Sequence, residues 1–197
     1  MNVWALIPLV TCFVYVGLLI LALQQIKKRA NKIFAFFLGV AAFWSFTSFM
    51  LHLEAPESQT LFWNQILVVA LVWTVIAYYH FTRAYTNRTA GRGLYIGYAL
   101  LLLLAGLSLS GNIVQSARVS NGVFSNDLGG SEYLIGVFGL AYTGAVIYLL
   151  VRKYRRSIDT IDRNRTMYLV AGWSILVVLS YTNLIPAVAG LPLDHMG

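Results

Sequence analysis

The sequence predicts an all-α protein, a polytopic bundle of transmembrane helices, and three observations predict it. Of 197 residues, 59% are hydrophobic and only 11% charged, whereas an ordinary soluble domain is about a quarter charged. Six stretches lack Lys, Arg, Asp and Glu over the roughly 20 residues that a helix needs to cross a hydrocarbon core. The basic residues fall almost entirely in alternate connections between those stretches.

The six predicted spans run from about Trp4 to Leu23, Ile33 to Leu53, Leu61 to Thr82, Leu94 to Ile113, Tyr133 to Val151 and Met167 to Ala189. They form a single domain over residues 1–197, with neither an internal repeat nor a low-complexity tract. The connections are short except for the one from Val114 to Glu132. Its Ser, Asn and Gly content reads as an exposed, turn-rich loop.

Alternation puts the connections after spans one, three and five on one side. They hold Lys27, Lys28, Arg29 and Lys32, then Arg83, Arg88 and Arg92, then Arg152, Lys153, Arg155, Arg156, Arg163 and Arg165; only Arg118 lies opposite. Basic loops resist translocation, so that side is cytoplasmic and the N-terminus outside. The expected location is the plasma membrane, as a multi-pass protein. No basic stretch precedes the first span, which argues against a cleaved signal peptide. Six crossings that start outside also end outside, and the reading favours six spans of a seven-span module.

A net charge of +7 would invite a nucleic-acid reading, but that reading needs a basic surface beside a soluble core. The sequence offers none, so nucleic acid is excluded as a partner. Membrane lipids are the expected partner of Lys27, Lys28, Arg29, Lys32, Arg152, Lys153, Arg155 and Arg156, because anionic headgroups attract such residues. In "RRSIDTIDRNR", i,i+4 pairs such as Asp159 with Arg163 would extend helices into the cytosol.

Ionisable groups at membrane depth mark function. No span carries Asp, Glu or Lys at its middle, which argues against a proton-coupled carrier, a Schiff base and a two-carboxylate catalyst. The chain's three histidines are too few for a two-haem cytochrome of the four-histidine kind. The single Cys12 supplies no thiolate cluster. No catalytic site, metal or cofactor is predicted.

Polar and aromatic residues recur where partners inside the bundle are needed. Trp44, Ser48 and His52 recur at i, i+4 and i+8 on one helix face. Trp73 sits in span three, with Asn64 and Gln65 at its outer mouth, and Tyr181 and Asn183 lie in the outer half of span six. Together these eight residues predict an outward-facing pocket for a small ligand or peptide. The competing reading is an interfacial aromatic belt with Ser, Thr and Asn as interhelical glue. Gly93 and Gly97 form a GxxxG, and Gly136, Gly139 and Gly144 populate span five; close packing within the bundle explains them, with a homodimer interface as the other reading.

The stretches "NKIFAFFLGVAAFWSFTSFMLHLE" and "FWNQILVVALVWTVIAYYHFTRAYTNR" bring the chain to a known pattern. With Asn31, Trp44, Glu54, Trp73, Tyr85 and Thr86 in register, and with the later "DRNRTMYLVAGW" and "GLPLD", the chain resembles the N-terminal seven-transmembrane sensor region of bacterial and archaeal histidine kinases. The resemblance implies an input module that senses an extracellular or membrane-dissolved cue and passes a helix displacement to an output domain. The alternatives are a small six-span transporter or channel, or an accessory subunit of a larger membrane complex.

Overall fold

The computed structural model describes residues 3–53, 56–120, 123–129 and 131–182. Among them are six helices: α1 (Val3–Leu23), α2 (Arg29–Leu51), α3 (Glu57–Tyr85), α4 (Arg92–Leu109), α5 (Glu132–Arg156) and α6 (Thr160–Thr182). Helices α1 to α5 are long and apolar enough to cross a membrane. Helix α6 begins with a charged turn and becomes apolar from Met167 to the end of the described residues.

The bundle is organised round α3, the longest helix at 29 residues. It packs against α2, α4 and α5, and its Val72, Ile76 and Ala77 are buried at the centre with Leu38 of α2 and Val146 and Leu150 of α5. Helix α1 is peripheral and packs on α2; Ile7, Val10, Phe13 and Ile20 face outward. In water that surface would be an aggregation liability, whereas in lipid it meets a solvent as apolar as itself.

The three basic connections gather at one end. Phe34 near the start of α2 lies 5.0 Å from Phe81 near the end of α3, and Lys153 of α5 donates to the Tyr85 carbonyl of α3. Helices α3, α5 and α6 extend beyond the predicted charge-free spans at this end, because a helix continues through charged residues wherever its backbone bonds can be completed. Helix α3 closes with Asn87 in the left-handed region (φ 55°), which lets Arg88 N–H reach the Arg83 carbonyl. The Arg83 guanidinium donates to the Thr89 carbonyl through two of its nitrogens and holds the turn.

At the opposite end the expected open loop is an antiparallel hairpin, β1 (Val114–Ser120) with β2 (Val123–Leu128), irregular between Val114 and Ser116. Ile113, Val114 and Ala117 are fully buried, and β1 packs against α3. Burial of Val114 and Ala117 holds β1 against α3, a tertiary contact that composition alone did not reveal.

The GxxxG of α4 is consumed within the chain. Tyr142 of α5 donates to the Gly93 carbonyl at 2.6 Å, and its ring covers Gly97, where an added Cβ would lie 2.8 Å from the Tyr142 hydroxyl. Gly106 on the same helix has nothing within 4 Å of such a Cβ. Gly97→Val is therefore expected to destabilise the bundle by about 1–3 kcal/mol through overpacking. Gly106→Ala should stay within about 1 kcal/mol of wild type, on the stabilising side. Thermal melts of the two variants in detergent separate these outcomes.

Candidate functional site

Of the eight residues predicted to share a pocket, Trp44, Ser48 and His52 lie on or at the end of α2 and Asn64, Gln65 and Trp73 on α3. Trp73 stands edge-on to Phe36 and Phe43 of α2, with ring centroids 6.0 and 6.4 Å apart. The Gln65 carbonyl accepts the Ser108 hydroxyl of α4. Trp44 and Ser48 are half-buried on α2, and the Ser48 carbonyl is bonded by Nδ1 of His52, one turn on. Asn64 is buried, only 2% exposed, and its Nδ2 has no partner. Tyr181 belongs to α6 by its backbone, its side chain lying outside the description; Asn183 lies outside the described residues.

Helices α2, α3 and α6 also meet in an aromatic seam nearer the basic end. Tyr78 stacks on Trp173 at 4.1 Å and 10°, lies 5.1 Å from Phe37 and donates its hydroxyl to the Leu169 carbonyl. Neither Tyr78 nor Trp173 belongs to the predicted pocket. Their pairing joins distant parts of the chain, and no local pattern announces it.

Directly below this seam a polar junction joins three helix ends. Lys153 of α5 forms the only ion pair among the described residues, with Asp162 of α6 at 3.2 Å. The same ammonium lies 3.7 Å from the ring centroid of Tyr85 of α3. The Tyr85 hydroxyl in turn donates to Asp162 Oδ1 and bonds Thr166, while Ser157 donates to Asp162 Oδ2. One carboxylate at the first turn of α6 thus gathers donors from α3, from α5 and from the connection before α6.

This arrangement corrects the expected Asp159–Arg163 ion pair. Asp159 precedes the first turn of α6 and accepts from Ile161 N–H at 3.0 Å, as an N-terminal cap does. The Arg163 guanidinium lies 4.7 Å from the Tyr154 ring. The cap and the aromatic face have drawn the two partners apart.

The eight basic residues expected at the membrane surface divide into two groups. Lys27, Lys28, Arg29 and Lys32 are exposed. Arg152 and Lys153 are half-buried and, with Arg156, line a cleft of about 330 Å³ beside Asp162; Arg155 is exposed next to it. Among the described residues no group of three or more His, Cys, Asp or Glu side chains could hold a metal ion.

A bundle of apolar, membrane-length helices with an ion-paired junction at one end defines an integral membrane helical module. The family model for the N-terminal 7TM region of histidine kinase matches residues 7–194, and the chain belongs to that family. No curated protein and no solved structure matches it.

Desolvation alone would raise the pKa of Asp162, but the hydrogen bond and charge of Lys153, then the hydrogen bonds from Ser157 and Tyr85, outweigh it. The carboxyl is held below its ordinary value of 3.8. The unfolded chain therefore takes up this proton first as pH falls, so the stabilisation is present above about 3.8 and is lost as pH drops through the folded value. Melting temperature measured across the acid range should fall less steeply in Asp162→Asn than in wild type. Equal slopes would show that Asp162 carries no such linkage.

Proposed function

We propose that this chain is the input module of a histidine kinase that senses an extracellular or membrane-dissolved cue and passes a helix displacement to an output domain. The observation that carries the reading is the family match across residues 7–194. The chain itself supplies reception and transmission, and phosphoryl chemistry belongs to the output. Its basic end is cytoplasmic, in the plasma membrane, since basic loops resist translocation.

Two features support this reading mechanically. Asn64, buried with an unpaired amide in the half of α3 remote from the junction, is a hydrogen-bond donor that a cue can satisfy. The Lys153–Asp162–Tyr85 junction fixes the first turn of α6 against α3 and α5, so any shift of α6 has to break or carry it. A ligand drives such a shift only by favouring one packing over the other. A transporter reading gains no support from charged residues at the middle of the spans, and an accessory subunit would carry no linked kinase output.

In a Cys12→Ala background, Ser58→Cys should react with a membrane-impermeant thiol reagent on intact cells, and Thr160→Cys only after permeabilisation. The reverse pattern would invert the orientation. For the kinase reading, autophosphorylation of the full-length protein in membrane vesicles is the measurement. Lys153→Asp and Asp162→Lys should each shift basal output in the same direction by about fivefold or more, and the double exchange should restore it. Output indifferent to all three would disconnect the junction from signalling.

A further inference from the structure

Four cations, Arg88, Arg152, Lys153 and Arg156, line the cleft at the basic end, against a single carboxylate, Asp162. That carboxylate is already held by Lys153, so three guanidiniums remain without a counter-charge. Arg88 and Arg152 are half-buried, and no side chain among the described residues forms an ion pair with either. A partly desolvated guanidinium without an acceptor is unfavourable, and its planar donor fork suits a phosphate oxygen pair. The cleft volume of about 330 Å³ falls within the roughly 300–1,000 Å³ common for small-ligand sites.

A second hollow adjoins the first. A groove of about 630 Å³ runs along α5 over Gly144, Ile147, Tyr148 and Val151, and its rim is formed by Arg152, Arg155 and Arg156. Arg152 and Arg156 belong to both hollows. Gly144 adds no side chain to this groove, and nothing lies within 4 Å of where its Cβ would be. A phosphate site continuous with an apolar trough on a membrane helix matches an amphiphile, with the anionic head among the arginines and a hydrocarbon chain along α5.

From this juxtaposition we infer that the basic end of the bundle holds one anionic phospholipid, its phosphate between Arg88, Arg152 and Arg156 and an acyl chain in the groove over Gly144. The site goes beyond the sensor reading and does not require it. Because the cleft also contains Lys153 and Asp162, the lipid head lies against the junction that fixes α6.

The test uses the full chain, purified in detergent and stripped of lipid, with bound lipid counted by native mass spectrometry. Dioleoylphosphatidylglycerol should be retained as a single copy, about tenfold more tightly than dioleoylphosphatidylcholine. The exchange R152Q/R156Q should abolish that preference. The groove-filling Gly144→Leu leaves every charge in place and should weaken retention of phosphatidylglycerol several-fold. K28Q/R29Q, at the exposed basic connection, should leave it unchanged, and millimolar inorganic phosphate should not displace the lipid. Equal retention of the two lipids, or an unchanged preference in R152Q/R156Q, would overturn the inference. So would an equal loss in K28Q/R29Q, which would mean diffuse attraction, or displacement by phosphate with Gly144→Leu unaffected, which would mean a free-anion site.

Discussion

A polar group inside a hydrocarbon layer has no water to fall back on, and this constraint orders the bundle from end to end. Along the helices, hydroxyls turn back onto their own backbone: Thr11 donates to the Ile7 carbonyl, Thr74 to Ala70 and Thr86 to Thr82. Such bonds spend no partner on another helix and fix no crossing. The crossings are made by apolar and aromatic contact, with Tyr78 between Phe37 and Trp173 and Tyr79 against Tyr142, joined by hydroxyl bonds from Ser108 to the Gln65 carbonyl and from Tyr142 to the Gly93 carbonyl. The ion pair, the costliest group to desolvate, lies outside the apolar stretches, where Lys153 and Asp162 keep some exposure to solvent.

That sorting explains why the sequence was readable at the scale of spans. A helix that must satisfy its own backbone and face lipid can only be an uninterrupted apolar run, so α1 to α5 could be seen in composition alone. The alternate basic connections were equally visible. Whether they gather at one end depends on helix pairing, which the contacts of Phe34 with Phe81 and of Lys153 with Tyr85 supply. The glycine face of α4 was visible as spacing, but its partner, Tyr142, was not.

The candidate site was less legible, for a related reason. The i, i+4, i+8 stripe of Trp44, Ser48 and His52 is a true helix face, yet sharing a face does not determine what that face meets. His52 turns to its own helix through the Ser48 carbonyl, and Trp73 leans on exposed phenylalanines of α2. The junction at the basic end combines Tyr85, Lys153 and Asp162 from three helices, and no one-dimensional period contains them. The hairpin escaped notice because its ladder is irregular near Val114 and its burial comes from α3 rather than from its own composition.

Among the described residues three buried side-chain atoms remain unpaired: Nδ2 of Asn64, Oγ1 of Thr82 and Nε1 of Trp173. All belong to α3 or α6, and Thr82 and Trp173 adjoin Tyr78, one turn along α3 and across the aromatic stack. An unpaired buried donor costs about 1–3 kcal/mol, which an arrangement of this seam that supplied acceptors would recover. Rearranging a saturated hydrogen-bond network has to break bonds before it makes any. Here a displacement of α6 against α3 gives up the ring stack and the Tyr78 bond to Leu169 and has to break or carry the Tyr85 bonds to Asp162 and Thr166, while two donors stand to gain acceptors. A seam with unpaired donors lies closer to a second arrangement than a fully satisfied core would, and the helix displacement proposed above draws on that proximity.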